Sequence, residues 1–168
     1  ENLLKGEPFA NNLPYAYAKR MLLVQLEAAK KQYGMDYSFI VPPSMYGPGD
    51  NFSLDYGHVI PSLIHKAYLA KQKGESLQVW GDGSPIREIA YAPDVARYVL
   101  SILDKPQGRK VLSSGIRLSV AKMARAIAKI FGIQCDYDLK QPNGEVNRSE
   151  TQAITEWDWT PFPDGIAK

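Results

Sequence analysis

The 168-residue sequence predicts an α/β fold in which mostly parallel strands are layered with helices. Two observations carry this expectation. Apolar residues recur at three- and four-residue steps in four separate segments, and short runs rich in β-branched and aromatic residues fall between them. A third observation is composition: 45% apolar and 11% aromatic residues are typical of a globular chain with a substantial core.

The first helix is expected from Tyr15 to Tyr33, where Ala18, Leu22, Leu26 and Ala29 recur along one face. Pro14 has the fixed φ and missing N–H that suit a helix start, and Gly34 suits a left-handed cap. Tyr37 to Val41 (YSFIV) reads as a buried strand, ending at Pro42 and Pro43 and opening into a long loop up to Gly57. The second helix is expected from His58 or Val59 to Lys73, with Ile60, Leu63, Ile64 and Ala67 on one face and Gly74 at its end. Leu77 to Trp80 and Ile86 to Tyr91 read as short strands joined by a tight Gly-Asp-Gly-Ser connection. A third helix follows, with Pro93 in its first turn and Asp94 near its positive end, through Val95, Val99 and Ile102. The stretch RKVLSS, a helix from Val120 to Phe131 and the stretch IQCDYDL continue the alternation. Trp157 and Trp159 read as core packing.

Charge narrows the function classes. Twenty basic residues against 18 acidic ones give a net charge of +2, with both signs mixed along the chain, so no basic face marks a nucleic-acid binder. No run approaches the roughly 18 apolar residues of a membrane span, and Glu1 to Leu13 lacks the order of a signal peptide. The single cysteine, Cys135, leaves no internal disulfide and no metal-ligand cluster, so no metal is expected and a reducing cytoplasm suits the chain. Cys135 itself reads as a buried structural residue. The opening residues carry no initiator Met, so the chain is expected to begin inside a longer protein.

The strongest chemical pattern is Tyr15-Ala16-Tyr17-Ala18-Lys19. Residues i and i+4 share a helix face, which puts a phenol and an ammonium at one point in space. A tyrosine normally ionises near pH ~10, and a positive charge about 4 Å away contributes roughly 4 kcal/mol at an intermediate dielectric, enough to bring proton exchange toward neutrality. Tyr15 can then protonate a carbonyl oxygen. Tyr17 is the weaker candidate, because its i+4 neighbour is Met21. The alternative is chance: a half-buried aromatic followed by a solvated lysine.

The order of further motifs sharpens this. The chain reads YAYAK, then YSFIVPPSMYGPGDN, then VWGDGSPIREIAYAPDVARYVL, with ENLLKG before the tyrosine and GDNF and HVIP after it. In this order and spacing it resembles the extended short-chain dehydrogenase/reductase family of nucleotide-sugar epimerases and dehydratases, along essentially its whole length. The resemblance is greatest to the branch acting on GDP-4-keto-6-deoxy hexoses.

That resemblance implies the carboxyl-side part of a Rossmann-like fold plus a smaller substrate-binding domain. Residues 1–57 would belong to the cofactor domain and 58–168 mostly to the substrate domain, with some elements returning to the first. It implies NADP or NAD as cofactor and a nucleotide-diphosphate sugar, GDP-linked in preference, as substrate. Tyr15 would donate a proton to the C4 keto oxygen, and Lys19 would tune it and hold the nicotinamide ribose. Pro42, Pro43, Ser44 and Met45 would line the nicotinamide, where α/β sheets bind ligands. His58 would serve epimerisation as an acid/base group beside the ketone and also approach the cofactor; the alternative is a helix-capping role. Lys66, Trp80 and Arg87 would contact substrate, the cations on the diphosphate and the indole on a flat group. Trp80 as a core aromatic and Arg87 as an ion-pair partner of Glu88 are the plainer alternatives, and His65 reads as surface. A homodimer through the helix starting at Tyr15 is also implied.

Departures matter for specificity. Ser44 stands where the family usually has Asn, Lys66 where it has Arg, and EVNRS leaves Arg148 as the counterpart of a family cation. No Gly-x-x-Gly-x-x-Gly lies between a strand and a helix, so the phosphate cradle is expected in a preceding segment. The 168 residues by themselves are expected to be catalytically incompetent.

Overall fold

The computed structural model describes residues 4–8, 10–106, 108–144 and 156–168. The elements in chain order are α1 (Leu13–Tyr33), β1 (Ser38–Val41), β2 (Ser44–Tyr46), α2 (Val59–Lys73), β3 (Leu77–Trp80), β4 (Ile86–Tyr91), α3 (Ala92–Ser101), β5 (Gly108–Val111), β6 (Arg117–Ser119), α4 (Val120–Phe131), β7 (Cys135–Asp138) and α5 (Phe162–Ala167). Alternating helices and strands with mainly parallel pairing bear out the α/β class.

The chain divides into two compact units. One comprises Glu1–Val41 with Ile102–Val111, and the other Pro42–Ser101 with Leu112–Lys168.

In the first unit, β1 pairs in parallel with β5, Phe39 opposite Arg109 and Val41 opposite Val111. Helix α1 begins two residues before Tyr15 and has Pro14 in its first turn. It closes at Gly34, whose φ of 69° lets its N–H return to the Lys30 carbonyl at 2.9 Å. The expected buried face of α1 is only partly realised: Leu26 and Ala29 are half-buried, Leu22 is exposed, and Leu23 is the buried residue.

In the second unit, β4 is central, pairing in parallel with β2 and antiparallel with β6. Strand β3 instead pairs in parallel with β7, Leu77 opposite Cys135. The two strands flanking the Gly-Asp-Gly-Ser turn therefore enter different sheets. Ile60, Leu63 and Ala67 of α2, Leu77 and Val79 of β3, Ile89 of β4, and Met123 and Ile127 of α4 form one buried cluster. Helix α4 matches its expected bounds; the Ser119 hydroxyl caps it by accepting from the Lys122 N–H at 3.2 Å.

Asp94, 1% exposed, accepts from the Thr160 N–H at 2.6 Å and from its hydroxyl at 3.1 Å, joining α3 to the segment before α5. Trp157 packs edge-on against Tyr98 at 5.2 Å, in line with its reading as core packing. Among the described residues no helix is long and apolar enough to cross a membrane.

Candidate active site

Tyr15 and Lys19 lie in the first turns of α1, in the first unit. The Lys19 Nζ stands 5.5 Å from the centroid of the Tyr15 ring, so the i, i+4 geometry puts both groups on one side of the helix. Tyr15 is 65% exposed, leaving its phenol open. Arg20, next along, donates to the carbonyls of Gly6 and Lys5 at 2.7 and 2.9 Å, which pins the preceding segment against α1.

The remaining expected site residues lie in the second unit. Pro42 and Pro43 are half-buried and lead into β2. Ser44 and Met45 form part of that strand rather than of a loop, because β4 offers them a ladder, Ser44 opposite Ile89 and Met45 opposite Ala90. His58 is the exposed N-cap residue of α2. Its imidazole makes no capping hydrogen bond; its backbone carbonyl accepts from the Ser62 N–H at 3.0 Å instead. His65 is not a plain surface residue: its Nδ1 lies 2.7 Å from the Phe52 carbonyl oxygen, holding the loop before α2 against the helix.

Lys66, Trp80 and Arg87 meet on one cavity of about 540 Å³. Strand alternation positions the indole: Leu77 and Val79 point into the core, so Trp80 points outward and is 57% exposed, which removes the core-aromatic alternative. The Lys66 Nζ sits 4.4 Å from the centroid of that ring. Partial burial pulls the Lys66 pKa below its ordinary 10.5, because desolvation disfavours the ammonium. On β4, Arg87 lines the cavity and donates to the Ile86 carbonyl at 2.8 Å. Glu88, its neighbour, faces the other side of the strand and accepts from the Ser113 hydroxyl and from the Gly115 N–H at 3.1 Å.

Ser62 and Asn143 also line this cavity and were missed in the sequence. Ser62 was findable, since it lies one turn after His58 and one turn before Lys66 on α2. Asn143 was not, because nothing local indicates that it reaches back to the β3–β4 turn. His58 falls between two lining residues, Gly57 and Val59, without lining the cavity itself. Arg148 lies outside the described residues. A larger cavity, about 690 Å³, runs along α4 and the segment before α5, lined by Trp157, Trp159 and Phe162. None of the expected site residues lines it. Cations and an exposed aromatic converge on the smaller cavity, which makes it the better candidate.

Cys135, on β7, is half-buried against the core, and burial pushes its thiol pKa up, which suits an inert structural residue. Among the described residues, no group of three or more His, Cys, Asp or Glu side chains is arranged to hold a metal ion.

Residues 1–113 match the NAD dependent epimerase/dehydratase family, and the chain belongs to it. Its relatives include the GDP-L-fucose synthase of Dictyostelium discoideum, 36% identical over 150 residues that cover 86% of this chain and 47% of the relative. The GDP-L-fucose synthase of Escherichia coli is 31% identical over 156 residues, covering 84% and 49%. A crystal structure of a GDP-L-fucose synthetase from Naegleria fowleri bound to NADP is similar with a TM-score of 0.85 at 29% identity, covering 96% of this chain and 55% of that one. The chain spans about half the length of the curated relatives it matches.

Proposed function

We propose that this chain forms part of an NADP-dependent nucleotide-sugar epimerase/reductase that converts GDP-4-keto-6-deoxymannose to GDP-L-fucose, by epimerisation at C3 and C5 and then reduction at C4. The observation that carries the reading is the convergence of Lys66, Trp80 and Arg87 on one cavity. Two cations answer a diphosphate, and an exposed indole answers a flat base or sugar face. Residues 1–57 serve the cofactor side and 58–168 mostly the substrate side. The relatives named as GDP-L-fucose synthases support the same reading. Ser44 and Lys66, which depart from the family pattern, favour as a second reading another nucleotide sugar within the family.

An exposed phenol and ammonium one helical turn apart fit a ribose and a ketone, so a nicotinamide dinucleotide, NADP or NAD, is the cofactor this chain would take, with NADP favoured by the NADP-bound Naegleria fowleri relative. When bound it supplies the hydride. Lys19 would hold the nicotinamide ribose, and Tyr15 would deliver its phenol proton to the C4 oxygen. Pro42, Pro43, Ser44 and Met45 shape the nicotinamide pocket. His58, its imidazole uncommitted to capping, moves protons at the carbons beside the ketone and approaches the cofactor.

Along α1, Leu13, Tyr17, Met21 and Val24 recur at helical spacing and are all exposed. This stripe supports a homodimer through α1, in a cytoplasmic enzyme.

The test is Tyr15→Phe in the full-length protein. NADPH oxidation with GDP-4-keto-6-deoxymannose should fall by roughly 10² to 10⁴, the scale of general acid catalysis, while the Kd for GDP stays unchanged. Unaltered turnover would remove Tyr15 from the chemistry.

A further inference from the structure

We propose that Asn143 is a positioning residue for the cavity that holds Lys66, Trp80 and Arg87, setting the placement of Trp80 and Arg87 and hence nucleotide affinity. This rests on reading that cavity as the nucleotide-sugar site.

Trp80 is the last residue of β3 and Arg87 the second of β4, so the turn between them, residues 81–85, determines how far apart the indole and the guanidinium stand. Because β3 and β4 enter different sheets, no ladder between the two strands fixes that separation. The turn is held by its own ties. Its ends and middle are tied by backbone: the Gly81 N–H reaches the Asp138 carbonyl, the Ala121 N–H reaches the Gly83 carbonyl, and the Val120 N–H reaches the Pro85 carbonyl, each at 2.9 Å. At Asp82 the tie comes from a side chain remote in sequence, the Asn143 Oδ1, which accepts from the Asp82 N–H at 2.9 Å.

Asn143 approaches so closely that a Cβ at Gly81 would collide with its Oδ1; only glycine leaves room. The next residue completes the arrangement. Gly144 lies against Arg87, where an added Cβ would stand 3.3 Å from the guanidinium Nη2. Asn143 and Gly144 both line the cavity. One two-residue segment thus pins the turn that follows Trp80 and borders the guanidinium of Arg87. Asn143 does not need to touch the ligand to act this way.

The experiment compares Asn143→Ala with Asn143→Gln in the full-length protein, reading the Kd for GDP by calorimetry together with KM and kcat. Asn143→Ala should weaken GDP binding about three- to tenfold, the loss expected when one such hydrogen bond is removed, and should raise KM with kcat unchanged. Asn143→Gln adds no charge to the anion-binding cavity and keeps a carboxamide oxygen for the Asp82 N–H, so it should recover part of both Kd and KM. If Asn143→Ala does not fold, Asn143→Ser, too short to reach that N–H, carries the same expectation. Wild-type affinity in the Ala or Ser variant, or equal weakening in Asn143→Gln, would overturn the proposal alone. Failure of the wild type to bind GDP would overturn the substrate reading and this proposal together.

Discussion

The ammonium of Lys66 stands 4.4 Å from the centre of the Trp80 ring, so a cation from α2 and an indole from β3 meet in the wall of one cavity. The contact does two things at once. It keeps positive charge in the cavity before any anion arrives, and it holds the flat indole by attraction to the ring face. The same partial burial that favours this contact weakens the lysine's hold on its proton.

Nucleotide affinity should therefore depend on alkaline pH through Lys66. An anionic diphosphate favours the charged amine, so binding is full while Lys66 is protonated and is lost as pH rises through its lowered pKa. Lys66→Arg keeps its charge to beyond about pH 12, and its GDP affinity should hold where the wild type weakens, at alkaline pH below the ordinary lysine value of 10.5. Calorimetric titration of both proteins across that range checks this. Parallel pH curves for the two would remove Lys66 as the titrating group.

Asp94 should matter for stability out of proportion to its ion pair. Its partner Arg97 is mostly exposed, so that charge contact is screened, whereas both hydrogen bonds from Thr160 end on a carboxylate that is itself buried. Asp94→Ala strands the Thr160 N–H and should cost about 1–3 kcal/mol in urea unfolding, with an unchanged denaturant slope. Asp94→Asn, which still offers one acceptor oxygen, should lose less. Equal losses in the two variants would put the effect in the charge rather than in the acceptor.

The exposed stripe on α1 gives a separate prediction about assembly. Met21, 57% exposed, sits one turn beyond Tyr17 and three residues before Val24 on that stripe. Met21→Glu places a charge in the middle of the proposed dimer face, where burial of an unpaired carboxylate is strongly unfavourable. Light scattering should find the wild type as a dimer and the variant as a monomer. A wild-type monomer, or a variant dimer of equal affinity, would remove α1 as the interface.

Helix ends and the pairing of Tyr15 with Lys19 were legible because their determinants are local. Helices α2 and α4 follow apolar spacing and end at Gly74 and Gly132, with Ser119 capping the start of α4. Tyr15 and Lys19 are brought together by one turn of a single helix, a contact that any sequence of this pattern makes once α1 forms. Strands β2 and β6 were not legible. Each is three residues long and exists through its pairing with β4.

The parting of β3 and β4 into different sheets was likewise invisible, because a tight connection between two strand-like runs reads locally as a hairpin. The order of motifs identified Lys66, Trp80 and Arg87 as candidates, but their meeting on one cavity needed α2, β3 and β4 packed together. Asn143 is the clearest case, since its acceptor oxygen meets the Asp82 N–H across 61 residues of chain. Local patterns encode energies between neighbours a turn or a strand step apart. Register and cavity walls depend on partners far away in sequence, which only the folded chain brings into contact.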